Sequence, residues 1–199
     1  GARQTRRSNM ATIESSATVA GTTTWNIDPA HTLVEFSAKH MMITSVKGRF
    51  GEVAGTIVID DARPERSSVT AEIQVASIDT RVEQRDAHLR SADFLDVENH
   101  PTLTFRSTRV EGAATSPGDT FRVVGELTIR GTTREVTLDA TYEGSGRDPW
   151  GGERVSFSAT AKIDRRDFGL TYNQVLEAGG ILVGNDIRLS FEVQAVRAA

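Results

Sequence analysis

From Trp25 onward, apolar and polar side chains alternate with a period of two over most of the chain. Val34, Phe36, Ala38, His40 and Met42 fall on one face of a predicted strand, with Glu35, Ser37 and Lys39 on the other. The same test selects Val69 to Val75, Leu103 to Ser107, Phe121 to Ile129, Val136 to Tyr142, Val155 to Ile163 and Ile187 to Val193. Residues Val46 to Asp60 read as one long strand in which Gly48, Gly51 and Gly55 permit bends or bulges. Such alternation marks antiparallel strands with one buried and one wet face. The segments between them, Asp61-Ala-Arg-Pro64, Ser116-Pro-Gly-Asp119, Arg130-Gly-Thr132 and Gly144 to Gly152, carry turn chemistry at hairpin spacing. About eight or nine strands in a meander, all sharing an apolar face, predict closure into a barrel, which also removes sheet edges.

One helix interrupts the pattern. Thr80 and Glu83 read as a capping box opening a helix over Arg81 to Arg90, thin in apolar content and so expected on the surface or across one barrel mouth. Asn99-His-Pro101 ends the excursion, and a second short helical turn is expected over Asp164 to Phe168.

Composition sharpens this reading. Val and Ile together number 29 against 10 Leu, with 23 Thr besides, a bias towards strands. With 199 residues, 25% of them charged, and a net charge of -4, the chain suits one globular domain and is a poor nucleic-acid binder. The absence of cysteine excludes disulfides, zinc–thiolate sites and thiol nucleophiles. No apolar run approaches the roughly 20 residues of a helical membrane span. Residues 1–22 carry Arg3, Arg6 and Arg7 and little to pack, and read as a disordered tail, with Met10 offering a natural start and the first nine residues vector-derived. They contain no secretory h-region, which leads to an expected cytoplasmic location. The barrel is expected over residues 23–196.

Certain motifs go further. Trp25-Asn-Ile-Asp-Pro-Ala-His31 leads into Val34-Glu-Phe-Ser-Ala-Lys-His40, and Val46-Lys-Gly-Arg-Phe50 into Gly55-Thr-Ile57. Ile78-Asp-Thr80 precedes Arg85-Asp-Ala-His-Leu-Arg90 and Ser91-Ala-Asp-Phe-Leu95. Pro101 to Ser107, Gly125-Glu-Leu-Thr-Ile-Arg-Gly131 and Asp164-Arg-Arg-Asp-Phe-Gly-Leu170 complete the set. In this order they resemble the YceI-like family of bacterial polyisoprenoid-binding proteins, from about Trp25 to Val193. The resemblance implies an all-β, extended antiparallel, lipocalin-like barrel holding a polyprenyl chain, isoprenoid quinone or similar lipid, without a cofactor. Many members of that family are periplasmic.

An eight-stranded barrel is either just filled or hollow enough for one ligand. Inward positions that mix Phe36, Phe50, Phe105 and Phe157 with Ala38, Ala71, Gly125, Ala159 and Ala161 suit either a hollow barrel or a dry core in which the small residues face each other across tight strand corners, and it is the resemblance that implies the hollow one. The expected cavity lining is Phe36, Ala38, His40, Met42, Phe50, Ile73, Phe94, Phe105, Leu127, Ile129, Phe157, Phe168 and Leu170, with His40 and Arg166 as polar contacts at a head group. A chain of about 40 carbons at about 0.3 kcal/mol per atom would gain roughly 12 kcal/mol.

Other residues invite competing readings. The four histidines show no tight metal-ligand spacing, and His31 is assigned to its turn. Arg166 and Asp167 read either as an ion pair bracing the rim or as a head-group contact. Trp25 reads as a plug at the closed end, Trp150 as a residue of a lid in a glycine-rich loop. The apolar stretch Asn173 to Gly184 reads as a mouth flap or a homodimer contact. The alternatives to a carrier are an enzyme acting on a lipid through His40 and a neighbouring carboxylate, and an interaction module with a filled barrel.

Overall fold

The structure, a computed structural model, describes residues 21–173 and 183–199. Eleven strands make one sheet that closes on itself: β1 (Thr22–Ile27), β2 (Leu33–His40), β3 (Thr44–Phe50), β4 (Val53–Asp60), β5 (Ser68–Gln74), β6 (Ile78–Asp79), β7 (Thr102–Glu111), β8 (Thr120–Ile129), β9 (Thr132–Arg147), β10 (Glu153–Asp164) and β11 (Val183–Arg197). Every pairing is antiparallel.

The barrel has eight staves, because six of the strands are halves of broken ones. β1 and β2 both pair along β11, separated by a 3₁₀ turn at Pro29–His31. Proline lacks the N–H that a continuous ladder would need there, and the Asp28 carboxylate accepts from the Ala30 N–H instead. β3 and β4 form the second stave. The single long strand expected over Val46–Asp60 is thus divided at Gly51–Glu52, where the chain hands its hydrogen bonds to Ser77 and Gln74. β5 and β6 form the third, interrupted by a 3₁₀ turn at Val75–Ser77. The remaining five staves follow in chain order, and β11 closes the ring against β1 and β2.

The helix α1 (Glu83–Arg90) sits between the third and fourth staves. It starts two residues later than expected, and no capping box forms. Arg81 lies at φ 67°, and the Thr80 N–H and hydroxyl both donate to the Asp86 carboxylate, at 2.9 and 2.5 Å. The acid one turn in, rather than Glu83, therefore fixes the helix start, and Thr80 and Asp86 are both buried. The 3₁₀ turn Arg165–Phe168 forms where a helical turn was expected, capped by the Asp164 side chain.

Two apolar clusters divide the interior by height. The lower one, around Phe50, Val75, Ile78, Leu95, Ile129, Phe168 and Leu170, fills the end that carries α1. The upper one, around Trp25, Ile27, Ile57, Val155 and Ala195, surrounds open space. Small inward residues do not all create volume. A Cβ at Gly48 would run into the Phe36 ring, and one at Gly125 would lie 2.5 Å from the Phe105 ring and 2.6 Å from the Arg106 carbonyl. At these two positions glycine makes room for an aromatic ring.

Candidate functional site

The upper half of the barrel encloses a cavity of about 800 Å³, open at the end away from α1 and blind at the other. Its wall is built by period-two alternation on strands that face each other. Ile57 and Ile59 come from β4, Val69, Ala71 and Ile73 from β5, Val123 and Leu127 from β8, and Leu138, Ala140 and Tyr142 from β9. Val155, Phe157 and Ala159 follow on β10, and Leu189, Phe191 and Val193 on β11. The row Phe121, Ala140, Ala159, Phe191 runs across four neighbouring strands and sets two alanines side by side on the wall. The floor is shared with the lower cluster through Val34, Val53, Leu103 and Val136.

The charged lining residues gather at the mouth. Trp25 of β1 is paired in register with Arg197 of β11, and Arg147 of β9 with Glu153 of β10. Glu153 bridges the two arginines: its Oε2 accepts from Arg197 Nη1 at 2.7 Å and its Oε1 from Arg147 Nη2 at 3.1 Å. The Arg197 guanidinium, and then Arg147, hold the Glu153 carboxyl below its ordinary range, so it is ionised at neutral pH. Arg154 stitches the outside of the same rim, donating to Asp28 (2.7 Å), Asp148 (3.0 Å) and Gln194 (2.9 Å). Arg154 and His31 together hold Asp28 down to about 2. Asp148 in turn orders the loop after β9, accepting from the Trp150 and Gly152 N–H groups, and leaves the Trp150 side chain exposed beside the mouth.

The expected lining residues divide between the two halves. Ile73, Phe105, Leu127 and Phe157 line the cavity. Phe50, Ile129, Phe168 and Leu170 belong to the lower core, where Phe36 also packs against Phe50 at 5.5 Å between ring centres. Phe94 is buried under α1 against His88 and Tyr172, at 5.0 and 5.1 Å. Ala38 and His40 lie on the lower part of β2, off the cavity wall. Met42 is 61% exposed, because β2 ends at His40 and turns through Met41 and Met42 with φ of 53° and 59°. The hairpin turn, not the strand, claims it. Arg166 is half-exposed at the closed end and pairs with Asp164 at 2.6 Å, not with Asp167.

Both residues assigned to a head group thus sit at the wrong end for it, and Trp25, assigned to the closed end, lines the open half, its indole N–H held by Thr23 at 2.8 Å. Of the apolar stretch Asn173 to Gly184, residues 174–182 lie outside the described residues, as do residues 1–20 of the tail. Arg147, Glu153 and Arg197 were not picked out from the sequence. Glu153 and Arg197 continue the inward phase of their strands to the very end, a weak signal, whereas Arg147 falls out of phase with Val136 to Tyr142 and is brought inward by the bulge in the β9–β10 pairing, which no alternation reveals.

No histidine lines the cavity among the described residues, and His31 and His88 pair outside it with Asp28 and Asp93. No group of three or more His, Asp or Glu side chains is placed to hold a metal among the described residues. No described helix is long and apolar enough to cross a membrane.

A family model, the YceI-like domain, matches residues 25–195. The chain belongs to the YceI-like family. A UPF0312 protein from Serratia proteamaculans is 39% identical over 168 residues, covering 84% of this chain and 82% of its own. The crystal structure of the Campylobacter jejuni YCEI protein is similar with a TM-score of 0.67 and 30% identity, over 81% of this chain and 90% of that one. A polyisoprenoid binding domain from Saccharophagus degradans has the same fold at a TM-score of 0.64 and 12% identity, over 87% of this chain and 98% of that one. The YceI-like barrel is therefore the frame in which the blind tunnel and its charged rim are set.

Proposed function

We propose that this protein takes up the tail of a long-chain apolar lipid, foremost a polyisoprenoid such as a polyprenyl chain or isoprenoid quinone, and carries or stores it without converting it chemically. The observation that carries the reading is the blind, apolar tunnel of about 800 Å³, near the upper end of the usual 300–1,000 Å³ for ligand pockets. The kinship of fold with the Saccharophagus degradans polyisoprenoid binding domain supports it. At about 30 Å³ per heavy atom the tunnel takes on the order of 25 carbons, or about five isoprene units. The lower core stops a longer chain, so about 40 carbons do not all fit. Burial of about 25 atoms at about 0.3 kcal/mol each gives roughly 7.5 kcal/mol, a dissociation constant in the micromolar range.

The enzyme alternative required an acid beside His40 inside the cavity, and His40 lies off the cavity wall. A filled barrel required no cavity. Native mass spectrometry of protein purified without detergent, then stripped and titrated with prenols, tests the carrier reading. One lipid per chain is expected; neither co-purified lipid nor uptake of any prenol would refute it.

A further inference from the structure

The inner wall of the barrel changes character at one place, and that place is where a ligand's head must come to rest. Arg197, Glu153 and Arg147 stand on adjacent strands β11, β10 and β9 in one row at the mouth, beside Trp25. All four line the same cavity whose depth is apolar. Glu153 spends one oxygen on each arginine, which leaves the row with one net positive charge. Each guanidinium has five N–H donors, and apart from these contacts neither Arg147 nor Arg197 has a side-chain partner among the described residues. Across the mouth stand Asp60, which accepts from the Arg63 N–H in its own turn, and Asp61, while Arg154 on the near side is committed to Asp28 and Asp148. The cationic side of the rim is therefore the β9–β11 side.

We propose that this row is a head-group site that selects amphiphiles ending in an oxyanion, a carboxylate or a phosphate, over alcohols and quinones with the same tail. The inference rests on the tail-binding reading above. With the tail on the tunnel floor, the head lies between Arg147 and Arg197, which donate to its oxygens in the fork geometry that arginine offers to planar or tetrahedral oxyanions. Glu153 holds both guanidinium groups at the rim and sets the limit of their net charge. Discrimination comes from pairing opposite charges, which holds an oxyanion more strongly than a guanidinium holds a neutral hydroxyl.

The test compares a prenol, its prenyl monophosphate and its prenoic acid, each of about 20 carbons so that the tail fits the tunnel, by competition against a fluorescent fatty probe. Both oxyanions are expected to bind the wild type about tenfold more tightly than the alcohol, and the acid and phosphate arms show which head the rim prefers. The Arg147→Gln/Arg197→Gln variant is expected to bring all three to similar affinity, so that the two oxyanions lose about tenfold more than the alcohol does. Glu153→Gln moves the row from one net positive charge to two, and is expected to widen the preference. A merely fastening role would predict no gain there. Raising salt on the wild type should narrow the preference without any substitution, since the site is open to solvent. Equal binding of all three by the wild type, or a preference that survives the double arginine variant, overturns the proposal and leaves the tunnel reading standing. Failure of all three to bind overturns both.

Discussion

Replacing Ala159 by phenylalanine tests whether the tunnel sets chain length. Ala159 faces the cavity from the middle of β10, with Ala140 and Phe191 beside it in register. A phenyl ring there adds six heavy atoms to open space, not to packed core, and removes on the order of 180 Å³ of the roughly 800 Å³ available. Capacity should fall from about 25 carbons to about 20. A chain that fills the wild-type tunnel then leaves about six atoms outside, and at about 0.3 kcal/mol per atom loses roughly 1.8 kcal/mol, about twentyfold in affinity. A chain of about 15 carbons keeps its full burial and its affinity. Trp25 in the wall supplies the assay: its emission reports uptake, and a Trp150→Phe background removes the signal of the exposed indole. Thermal unfolding of the ligand-free variant should match the wild type or rise, because the ring gains contacts. A folded Ala159→Phe protein that binds the long chain as well as before, or loses the short chain equally, would mean that ligand does not occupy this tunnel.

Two further predictions concern what holds the closed end and the rim. Arg165 is buried and forms no ion pair among the described residues; its guanidinium donates to the carbonyls of Leu170 (2.7 Å), Tyr172 (2.8 Å), Gly184 (3.0 Å) and Val183 (3.3 Å), and burial pushes its pKa down. Arg165→Ala leaves several carbonyls unpaired and should cost at least about 3 kcal/mol in urea unfolding, whereas Arg166→Ala, next in sequence but solvent-exposed, should change stability little. Similar losses for the two would refute the assignment. At the rim, Asp28 titrates at about 2 in the folded protein against an ordinary 3.8. A depressed carboxyl stabilises the fold fully above the unfolded value and loses that contribution as pH falls from about 4 to about 2. Asp28→Asn should therefore be less stable than the wild type at neutral pH, with the gap closing across that interval in urea midpoints; a gap that stays constant down to pH 2 would show that Arg154 and His31 do not act through the Asp28 charge.

Alternation names the face of a strand but not the height along it, and this decides which parts of the site were legible. The inward series through Val69, Phe121, Leu138, Phe157 and Phe191 could be read directly, because a half-buried antiparallel strand leaves no other arrangement for those side chains. Whether Phe157 faces ligand and Phe168 faces core depends on which end the barrel fills, a property of packing between staves far apart in sequence. Phe36, Phe50 and Phe94 share the aromatic size of the cavity residues but lie in the filled end, where the Phe36 ring takes the space Gly48 leaves and packs on Phe50. The broken staves do leave a mark in the alternation: the inward series steps from Ile27 to Val34 and from Phe50 to Val53, odd intervals that invert its phase, although each half resumes pairing with the same neighbouring stave.

Charge placement follows the same logic of height. An arginine such as Arg165, buried in the closed end, satisfies its donors on nearby carbonyls, since an unpaired buried charge is costly. Arg147 and Arg197, at the open end, keep donors free for whatever enters. The floor fixes how much tail the barrel accepts, and the rim fixes which tails carry a head it can hold. Substitutions at Ala159 and at Arg147 should consequently separate in measurement, the first changing the dependence on chain length for every head group, the second changing the dependence on head group at every chain length that fits. Coupling between the two effects would be expected only if the ligand's depth and its head position were linked, as they are for a chain long enough to touch floor and rim at once.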